Sequence, residues 1–301
     1  YAKADARILP IRQENQGVST ARNNGIKKAS GKYLIFMDPD DWYPEKDILE
    51  VLFEKAENSG CQICGGEFSE YNDRTGEVRT EFPEQYFGYV FQKEGVIEYR
   101  DWQFDFGYHR FLYNREFILE HQLYFPKLIR FQDPPFFVKA MITAEKFYAV
   151  KKVVYRYRYG HRDLKWTREK RIALLKGIYM DMDMAVRNHL ERLVDLTWFR
   201  MTEEFGEIIC CGIIEGETEI EEWIRRVYDC LEIDRKEKYG YPFYRRFRDE
   251  VILLKEKQRK EDERLENEIK AIKNSITFRV GKYLLYIPRC IKLALWSRKK
   301  S

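Results

Sequence analysis

The sequence has 301 residues, of which 44% are hydrophobic and 16% aromatic, and its formal net charge is +4. This composition supplies a folded core and excludes a globally disordered chain. The small net charge gives no argument for nucleic-acid binding by the whole protein. The six cysteines lack the regular spacing of a disulfide framework, which favours a reducing compartment.

Residues 15–41, NQGVSTARNNGIKKASGKYLIFMDPDD, carry the strongest signal in the chain. Ser19 or Thr20 can cap a short helix at its amino terminus. The apolar run YLIFM, residues 33–37, then predicts a parallel strand that is buried on both faces. Ligands of open α/β sheets bind beyond the carboxyl ends of the strands, so the acidic segment after this run is a candidate site.

The acidic segment contains Asp38, Asp40 and Asp41, with Pro39 between the first two. A turn followed by a helix cap would also explain these residue types. Three carboxylates so close together, however, raise one another's pKa unless a cation neutralises them. Mn²⁺ and Mg²⁺ bind through one or two carboxylates together with substrate phosphates. The segment therefore predicts a divalent cation that holds a diphosphate.

This stretch resembles the central signature of family 2 glycosyltransferases of the GT-A fold, N-x-G-x-S-x-A-R-N followed by G-x-Y-[IL]-x-F-[LM]-D-x-D-D. The resemblance implies an inverting enzyme that uses a nucleotide-diphosphate sugar. Asp38 and Asp40 match the D-x-D element, although Pro39 stands where serine or alanine is usual. By this resemblance Asp40 and Asp38 hold the metal ion, and Asp38 and Asp41 belong to the donor site.

The same resemblance bears on the amino-terminal part of the domain. Arg22 and Asn23, at the start of the predicted helix, become candidates for donor binding. The family has an earlier βαβ region with a V-D-D-G-S-type nucleotide-binding element, and nothing in this sequence matches it. We therefore expect an α/β, GT-A-like and Rossmann-related mixed sheet that is flanked by helices and truncated at its first strands. Such a piece could be inactive by itself.

After the acidic segment, helix and strand patterns alternate. Apolar spacing predicts an amphipathic helix over residues 44–58 and a strand over residues 61–69. Cys61 and Cys64 have the spacing of a redox or zinc pair, but without a second pair or a histidine cluster two packed thiols are favoured. The aromatic-rich residues 77–105 either contact an acceptor or pack a long loop.

A second stretch that carries chemistry is RFQDPPFFVKAMITA, residues 130–144. Asp133, followed by two prolines, is typical of a helix N-cap, so capping alone could explain it. Family 2 glycosyltransferases have an [ED]-D-x-x-F-x-x-[KR]-A element here, and its second acid is the general base. The resemblance implies that Asp133 takes the proton from the acceptor hydroxyl. Capping and catalysis can coexist at this residue.

Residues 151–159 alternate like a strand and end just before His161. In GT-A enzymes a late histidine can ligate the metal ion, so the resemblance makes His161 a further candidate metal ligand. A structural histidine in a basic, aromatic segment is the alternative.

The hydrophobic period becomes helical after the predicted catalytic domain. The predicted regions are a partial catalytic domain (1–165), a helical appendage (166–246), a long charged helix (247–274) and a basic amphipathic tail (275–301). Leu265, Ile269 and Ile272 could form a short coiled-coil seam. Weak homo-oligomerisation through residues 251–274 is therefore one expectation, and a solvated single helix is the other.

The tail has no acidic residue and mixes lysine and arginine with aromatic residues and leucine. Its apolar runs are shorter than the roughly 20 residues of a membrane span. The pattern favours a segment that lies on an anionic membrane surface, with packing against the protein's own body and nucleic-acid binding by a basic tail as the two alternatives. We expect no nucleic-acid partner.

Together these features predict a bacterial-type glycosyltransferase that is cytoplasmic and peripheral on the inner face of the plasma membrane. It would move a sugar to a glycan or lipid-linked acceptor with inversion, for cell-surface polysaccharide synthesis. A degenerate, non-catalytic domain that binds glycans or acts as a membrane scaffold is the alternative.

Overall fold

The structure, a computed structural model, describes residues 2–160, 164–239 and 243–275. Contacts between residues divide the chain into two compact units, Tyr1–Tyr241 and Pro242–Ser301. His161 and nearly all of the predicted tail lie outside the described residues. The roles predicted for them therefore stay predictions.

The first unit is built on one sheet, which contains six strands among the described residues. The strands are β1 (Tyr33–Leu34), β2 (Ile63–Asn72), β3 (Val78–Arg79), β4 (Gly95–Glu98), β5 (Phe111–Asn114) and β6 (Lys146–Tyr159). Their order is β1-β5-β2-β6-β4, and β3 pairs with β2. The β2–β6 pair is parallel and the other pairs are antiparallel. The sheet is therefore mixed, as predicted.

Helices flank the sheet and continue after it. They are α1 (Val18–Lys28), α2 (Ile48–Ser59), α3 (Tyr99–Trp102), α4 (Arg115–Glu120), α5 (Asp133–Ala144), α6 (Arg168–Arg187), α7 (Glu191–Phe199), α8 (Gly206–Ile214), α9 (Thr218–Asp229) and α10 (Ile233–Tyr239). Two 3₁₀ segments, Glu84–Tyr89 and Tyr108–Arg110, precede β5, and a π-helical segment, Arg200–Glu204, follows α7. Contacts between residues place α6 to α10 in the same unit as the sheet. The predicted domain boundaries stay a prediction.

The second unit contains α11, a helix of 32 residues over Phe243–Asn274. Leu265, Ile269 and Ile272 are exposed on it, and homo-oligomerisation through this helix stays a prediction. Among the helices that the structure describes in either unit, none is both long and apolar enough to cross a membrane.

The strand predicted over residues 33–37 is shorter than expected. Only Tyr33 and Leu34 pair with a neighbour, and the neighbour is the antiparallel strand β5. β1 lies at one end of the strand order, and Met37 is 43% exposed. The prediction of a parallel strand buried on both faces is therefore wrong. Packing explains the apolar run in another way, because the ring of Phe36 packs among four aromatic rings of the core.

The cap predicted for α1 is also wrong. Gly17 occupies the N-cap position with a φ of 84°, a left-handed conformation that glycine adopts without strain. The Ser19 hydroxyl instead donates to the backbone carbonyl of Leu128 (3.1 Å). The Thr20 hydroxyl donates to the carbonyl of Gln16 (3.0 Å). Both hydroxyls therefore satisfy carbonyls, and Ser19 joins α1 to the segment that leads into α5.

The prediction of packed thiols is confirmed. Cys61 lies just before β2 and Cys64 lies within it, and both thiols are free and buried. Burial raises the pKa of the Cys64 thiol to about 12, so this thiol stays protonated. Gly60 ends α2 in a left-handed conformation, which glycine adopts readily at the end of a helix.

A fully buried arginine joins the sheet to the aromatic segment before it. Arg110 donates from Nη1 to the carbonyls of Gly66 (2.8 Å) and Tyr89 (3.2 Å), and from Nη2 to the carbonyl of Gly88. Three rings lie within 6 Å of its guanidinium carbon, those of Phe91, Trp102 and Phe111. Burial lowers the Arg110 pKa to about 9. This residue therefore holds the 3₁₀ segment Glu84–Tyr89 against β2.

Candidate active site

The acidic segment after β1 is fixed to β6 through its last aspartate. Asp41 is buried and accepts hydrogen bonds from the Tyr155 hydroxyl (2.7 Å) and from the backbone N–H of Arg158 (2.8 Å). The backbone N–H of Asp38 donates to the same Tyr155 oxygen (3.2 Å). Desolvation raises the pKa of Asp41 to about 6, more than the two hydrogen bonds lower it. Asp41 therefore positions the segment on the sheet.

Replacement of Asp41 by alanine is expected to destabilise the protein by about 1–3 kcal/mol at pH 5, because it leaves two buried donors without their acceptor. The folded-state pKa of about 6 exceeds the ordinary 3.8. The stabilising contribution of Asp41 is therefore complete below pH 4 and declines as pH rises through 6. Thermal unfolding of both proteins at pH 5 and pH 7.5 should show a smaller difference at pH 7.5, and a larger one would contradict this assignment.

A cavity of about 350 Å³ lies beside the acidic segment. Three of the predicted site residues line it: Arg22 from α1, Asp38 after β1 and Asp133 at the first position of α5. Arg22 and Asp133 are separated by more than 100 residues in sequence. The fold therefore brings the two predicted motifs together at one site.

Arg22 and Asp38 form the polar wall of this cavity. Arg22 Nη2 donates to Asp38 Oδ1 (2.6 Å), and the guanidinium lies over the rings of Tyr108 (4.9 Å) and Phe125 (5.3 Å). Within the described part of the chain, Arg22 Nη1 is buried without a hydrogen-bond partner, and Asp38 Oδ2 accepts no hydrogen bond. One donor and one carboxylate oxygen are therefore available to a ligand.

Asp133 lies at the start of α5, but it does not cap the helix. Gln132 occupies the N-cap position, and no side-chain cap is formed there, so the N-cap prediction for Asp133 is wrong. No other described side chain donates a hydrogen bond to its carboxylate. Burial raises the Asp133 pKa, whereas the positive charges of Arg22 and Arg130 lower it. A carboxylate with a raised pKa is a better proton acceptor near neutral pH.

Asn23 lies away from the cavity and has a different set of partners. Its amide nitrogen donates to the carbonyl of Phe125 (2.8 Å), and its amide oxygen accepts from the backbone N–H of the same residue (2.9 Å). These bonds hold the segment around Phe125, whose ring contacts Arg22. A direct contact of Asn23 with the donor stays a prediction.

The metal-binding prediction rests on Asp38 and Asp40. Asp40 is half-buried and is absent from the cavity lining. Over residues 2–160, 164–239 and 243–275, no group of three or more His, Cys, Asp and Glu side chains is arranged to hold a metal ion. Two carboxylates with one available Asp38 oxygen fit a Mn²⁺ or Mg²⁺ ion whose remaining ligands are phosphate and water oxygens.

Several residues that line the cavity were missed by the sequence analysis. His109 is buried, its ring centroid is 4.0 Å from that of Tyr155, and burial lowers its pKa well below 6.5. Arg200 and Glu204 come from the helical region, where no catalytic group was predicted. The spacing of hydrophobic residues over 198–214 predicts one continuous helix and therefore gave no sign that these two side chains line a cavity. The structure instead has a π-helical segment at Arg200–Glu204.

Comparison with known proteins bears on the family of this chain. Residues 1–121 match the model of glycosyl transferase family 2. This part of the chain belongs to that family. The uncharacterized glycosyltransferase EpsJ of Bacillus subtilis is 38% identical over 165 residues, which are 52% of this chain and 46% of EpsJ. The uncharacterized glycosyltransferase MJ1057 of Methanocaldococcus jannaschii is 30% identical over 176 residues, 58% of each chain. The chain spans about half the length of these curated relatives.

The fold is also similar to that of a solved protein. S. aureus TarS 1-349 in complex with UDP-GlcNAc superimposes with a TM-score of 0.58 at 13% identity, over 74% of this chain and 64% of TarS. The prediction of a GT-A-like mixed sheet with flanking helices and a helical carboxyl-terminal region is confirmed.

Proposed function

We propose that the protein transfers a sugar from a nucleotide-diphosphate donor to an acceptor hydroxyl with inversion. The observation that carries this proposal is the shared cavity of Arg22, Asp38 and Asp133, because it combines a candidate proton acceptor with groups that suit a diphosphate. The family of residues 1–121 and the names of the curated relatives support the same reaction class. TarS, which shares the fold, has been solved with UDP-GlcNAc and with UDP.

The reaction is a single displacement at the anomeric carbon of the donor sugar. The acceptor oxygen forms a new bond to this carbon as the bond from the carbon to the β-phosphate oxygen breaks. The proton of the acceptor hydroxyl passes to the carboxylate of Asp133. The bonding electrons of the broken bond leave with the nucleoside diphosphate, and attack from the opposite face inverts the anomeric configuration.

The leaving diphosphate needs positive charge on the donor side. Arg22 Nη1, which is buried without a partner among the described residues, can donate to a phosphate oxygen. Asp38 and Asp40 would hold a Mn²⁺ or Mg²⁺ ion, which would neutralise the charge that develops on the diphosphate. Asp38 also fixes the Arg22 guanidinium through the 2.6 Å contact at Nη2.

The acceptor and the location of the enzyme are proposed from the sequence pattern. A glycan or lipid-linked acceptor in cell-surface polysaccharide synthesis suits a peripheral enzyme on the inner face of the plasma membrane. The basic and aromatic residues of the 275–301 tail would contact anionic lipid there.

The proposal is tested with the complete protein and a panel of UDP-, GDP- and dTDP-sugars, by following release of the nucleoside diphosphate. At least one donor is expected to be consumed with Mn²⁺ or Mg²⁺ present, and EDTA should stop the reaction. Asp38→Asn should lower the rate by about 10²-fold or more, because it weakens both the metal site and the placement of Arg22.

Asp47→Asn is the matched control, since Asp47 is an exposed aspartate that is paired with Lys152 outside the cavity. Full activity of Asp38→Asn would overturn the assignment of the donor site. Failure of the wild-type protein to bind any nucleotide sugar by calorimetry would instead support the non-catalytic alternative.

A further inference from the structure

The cavity extends over more residues than the donor and the base require. A second set of side chains lines it, from β2, β3, the 3₁₀ segment Glu84–Tyr89 and the π-helical segment Arg200–Glu204. We call this set the distal lining, and its members are Glu70, Arg79, Tyr86, Tyr89, Arg200 and Glu204. These side chains share one cavity with Asp133, so a ligand bound there would lie near the candidate base.

The distal lining presents an aromatic face. The rings of Tyr86 and Tyr89 are parallel, with an interplanar angle of 5° and a centroid distance of 5.5 Å. Tyr89 is buried, whereas Tyr86 is only half-buried and forms part of the cavity wall. A stacked ring that is fixed on one side offers a rigid apolar surface at low entropic cost. The C–H face of a pyranose ring is a suitable partner for such a surface.

Two arginine–glutamate pairs supply the polar groups. Arg79 Nε donates to Glu70 Oε2 (2.9 Å), and Arg200 Nη1 donates to Glu204 Oε2 (2.8 Å). Arg200 is also fixed by the buried Asp105, whose Oδ1 accepts from Nη2 (2.7 Å). Each pair places N–H donors and carboxylate oxygens side by side, which matches the neighbouring hydroxyls of a sugar. The Arg79–Glu70 pair is close to neutral, and Arg200 faces the two carboxylates of Glu204 and Asp105, so this lining has no excess positive charge and favours a neutral polyhydroxylated ring over a phosphate group.

The backbone at this place is itself unusual. Arg200–Glu204 is π-helical between α7 and α8. π-helical turns are rare and occur often at functional sites, where they change the direction of side chains relative to a regular helix. Here the π-helical segment supplies both members of the Arg200–Glu204 pair to the cavity. The aromatic face, the two pairs and the π-helical segment therefore converge on one place.

We propose that the distal lining is a saccharide subsite, so that the acceptor of the transfer reaction is a carbohydrate whose sugar ring lies on Tyr86 between the two arginine–glutamate pairs. This inference rests on the proposed function, because it assigns the ring to the acceptor. A hydroxyl of the bound ring then faces the carboxylate of Asp133, and the bare phosphate of a lipid carrier is not the group that this part of the cavity recognises.

The test is binding of simple acceptor probes to the complete protein in the presence of UDP and Mn²⁺. Methyl β-glycosides of glucose, galactose and N-acetylglucosamine are compared with farnesyl phosphate by saturation-transfer NMR and titration. At least one glycoside is expected to bind. Tyr86→Ala and Arg79→Gln should each weaken its binding by at least about fivefold, because they remove the stacking face and one polar pair.

The matched controls are Tyr148→Ala and Arg226→Gln, which remove a partly exposed tyrosine and an exposed paired arginine outside the cavity. Unchanged glycoside affinity in Tyr86→Ala, or binding of farnesyl phosphate without any glycoside, would overturn the inference. The donor-consumption assay is separate from this readout. If donors are consumed but glycosides do not bind, only the saccharide subsite is wrong; if glycosides bind but no donor does, the proposed transferase function is wrong.

Discussion

Replacement of Asp133 by asparagine is expected to lower kcat for sugar transfer by about 10²–10⁴-fold, because the amide cannot accept the proton of the acceptor hydroxyl. Donor affinity and the thermal midpoint should change little, since the Asp133 side chain neither caps α5 nor accepts a hydrogen bond from another described side chain. Initial rates at saturating donor and acceptor, with thermal unfolding in parallel, measure both effects. Asp234→Asn is the control because it changes an exposed aspartate in the first turn of α10.

The pH profile separates a base from a residue that only shapes the cavity. Only the ionised carboxylate of Asp133 accepts a proton, so the wild-type rate should rise with pH through its pKa. Burial raises that pKa above the ordinary value of 3.8, and the midpoint of the acid limb should follow it. The residual activity of Asp133→Asn should lack this limb. An unchanged acid limb in the variant, or a wild-type rate in it, would show that another group is the base.

Replacement of Arg110 by alanine is expected to reduce the free energy of unfolding by about 4 kcal/mol or more. The change leaves three carbonyls, those of Gly66, Gly88 and Tyr89, without their donor and opens a void among packed rings. Urea unfolding, or the yield of folded protein if the variant is too unstable, measures the loss. Arg110→Lys should be intermediate, because it retains a cation but not the planar fork of donors.

Arg187→Ala is the matched control for this change. Arg187 is an exposed arginine on α6 that is paired with Asp183, so its loss should cost less than about 1 kcal/mol. Equal stabilities of Arg110→Ala and Arg187→Ala would mean that the buried fork does not hold the 3₁₀ segment.

Because Tyr86 and Tyr89 belong to that segment, a folded Arg110→Lys protein should also bind the glycoside probes more weakly than wild type.

The residues of the candidate site that the sequence analysis named lie within short motifs. Arg22, Asp38 and Asp133 each stand in a local pattern of fixed spacing, and the structure places all three in one cavity. The same patterns could not show which polar side chains form hydrogen bonds within the protein. The Asp41 carboxylate accepts a hydrogen bond from the Tyr155 hydroxyl on β6. The two residues are 114 apart in sequence, so this contact depends on which strands pair in the sheet.

The distal lining was the least predictable part of the site. The aromatic richness of residues 77–105 indicated either an acceptor contact or loop packing, and the structure shows Tyr89 buried and Tyr86 in the cavity wall. Arg200 and Glu204 gave no local signal, because residues that continue a helical period also suit a regular helix. Their role depends on a single π-helical turn and on Asp105, which lies 95 residues earlier in the chain.

The parallel pairing of β2 with β6 has a consequence for the order in which the protein acquires its structure. Cys64 pairs with Tyr148, about 80 residues later, and the register continues to Tyr159. Closing so long a loop is entropically costly, and sheets with distant pairings fold slowly. During synthesis β2 remains without its parallel neighbour until β6 has left the ribosome, and only then can Tyr155 fix Asp41. The family motif is thus synthesised early but fixed in place late, and in the interval the edge of β2 that pairs with β6 has no partner.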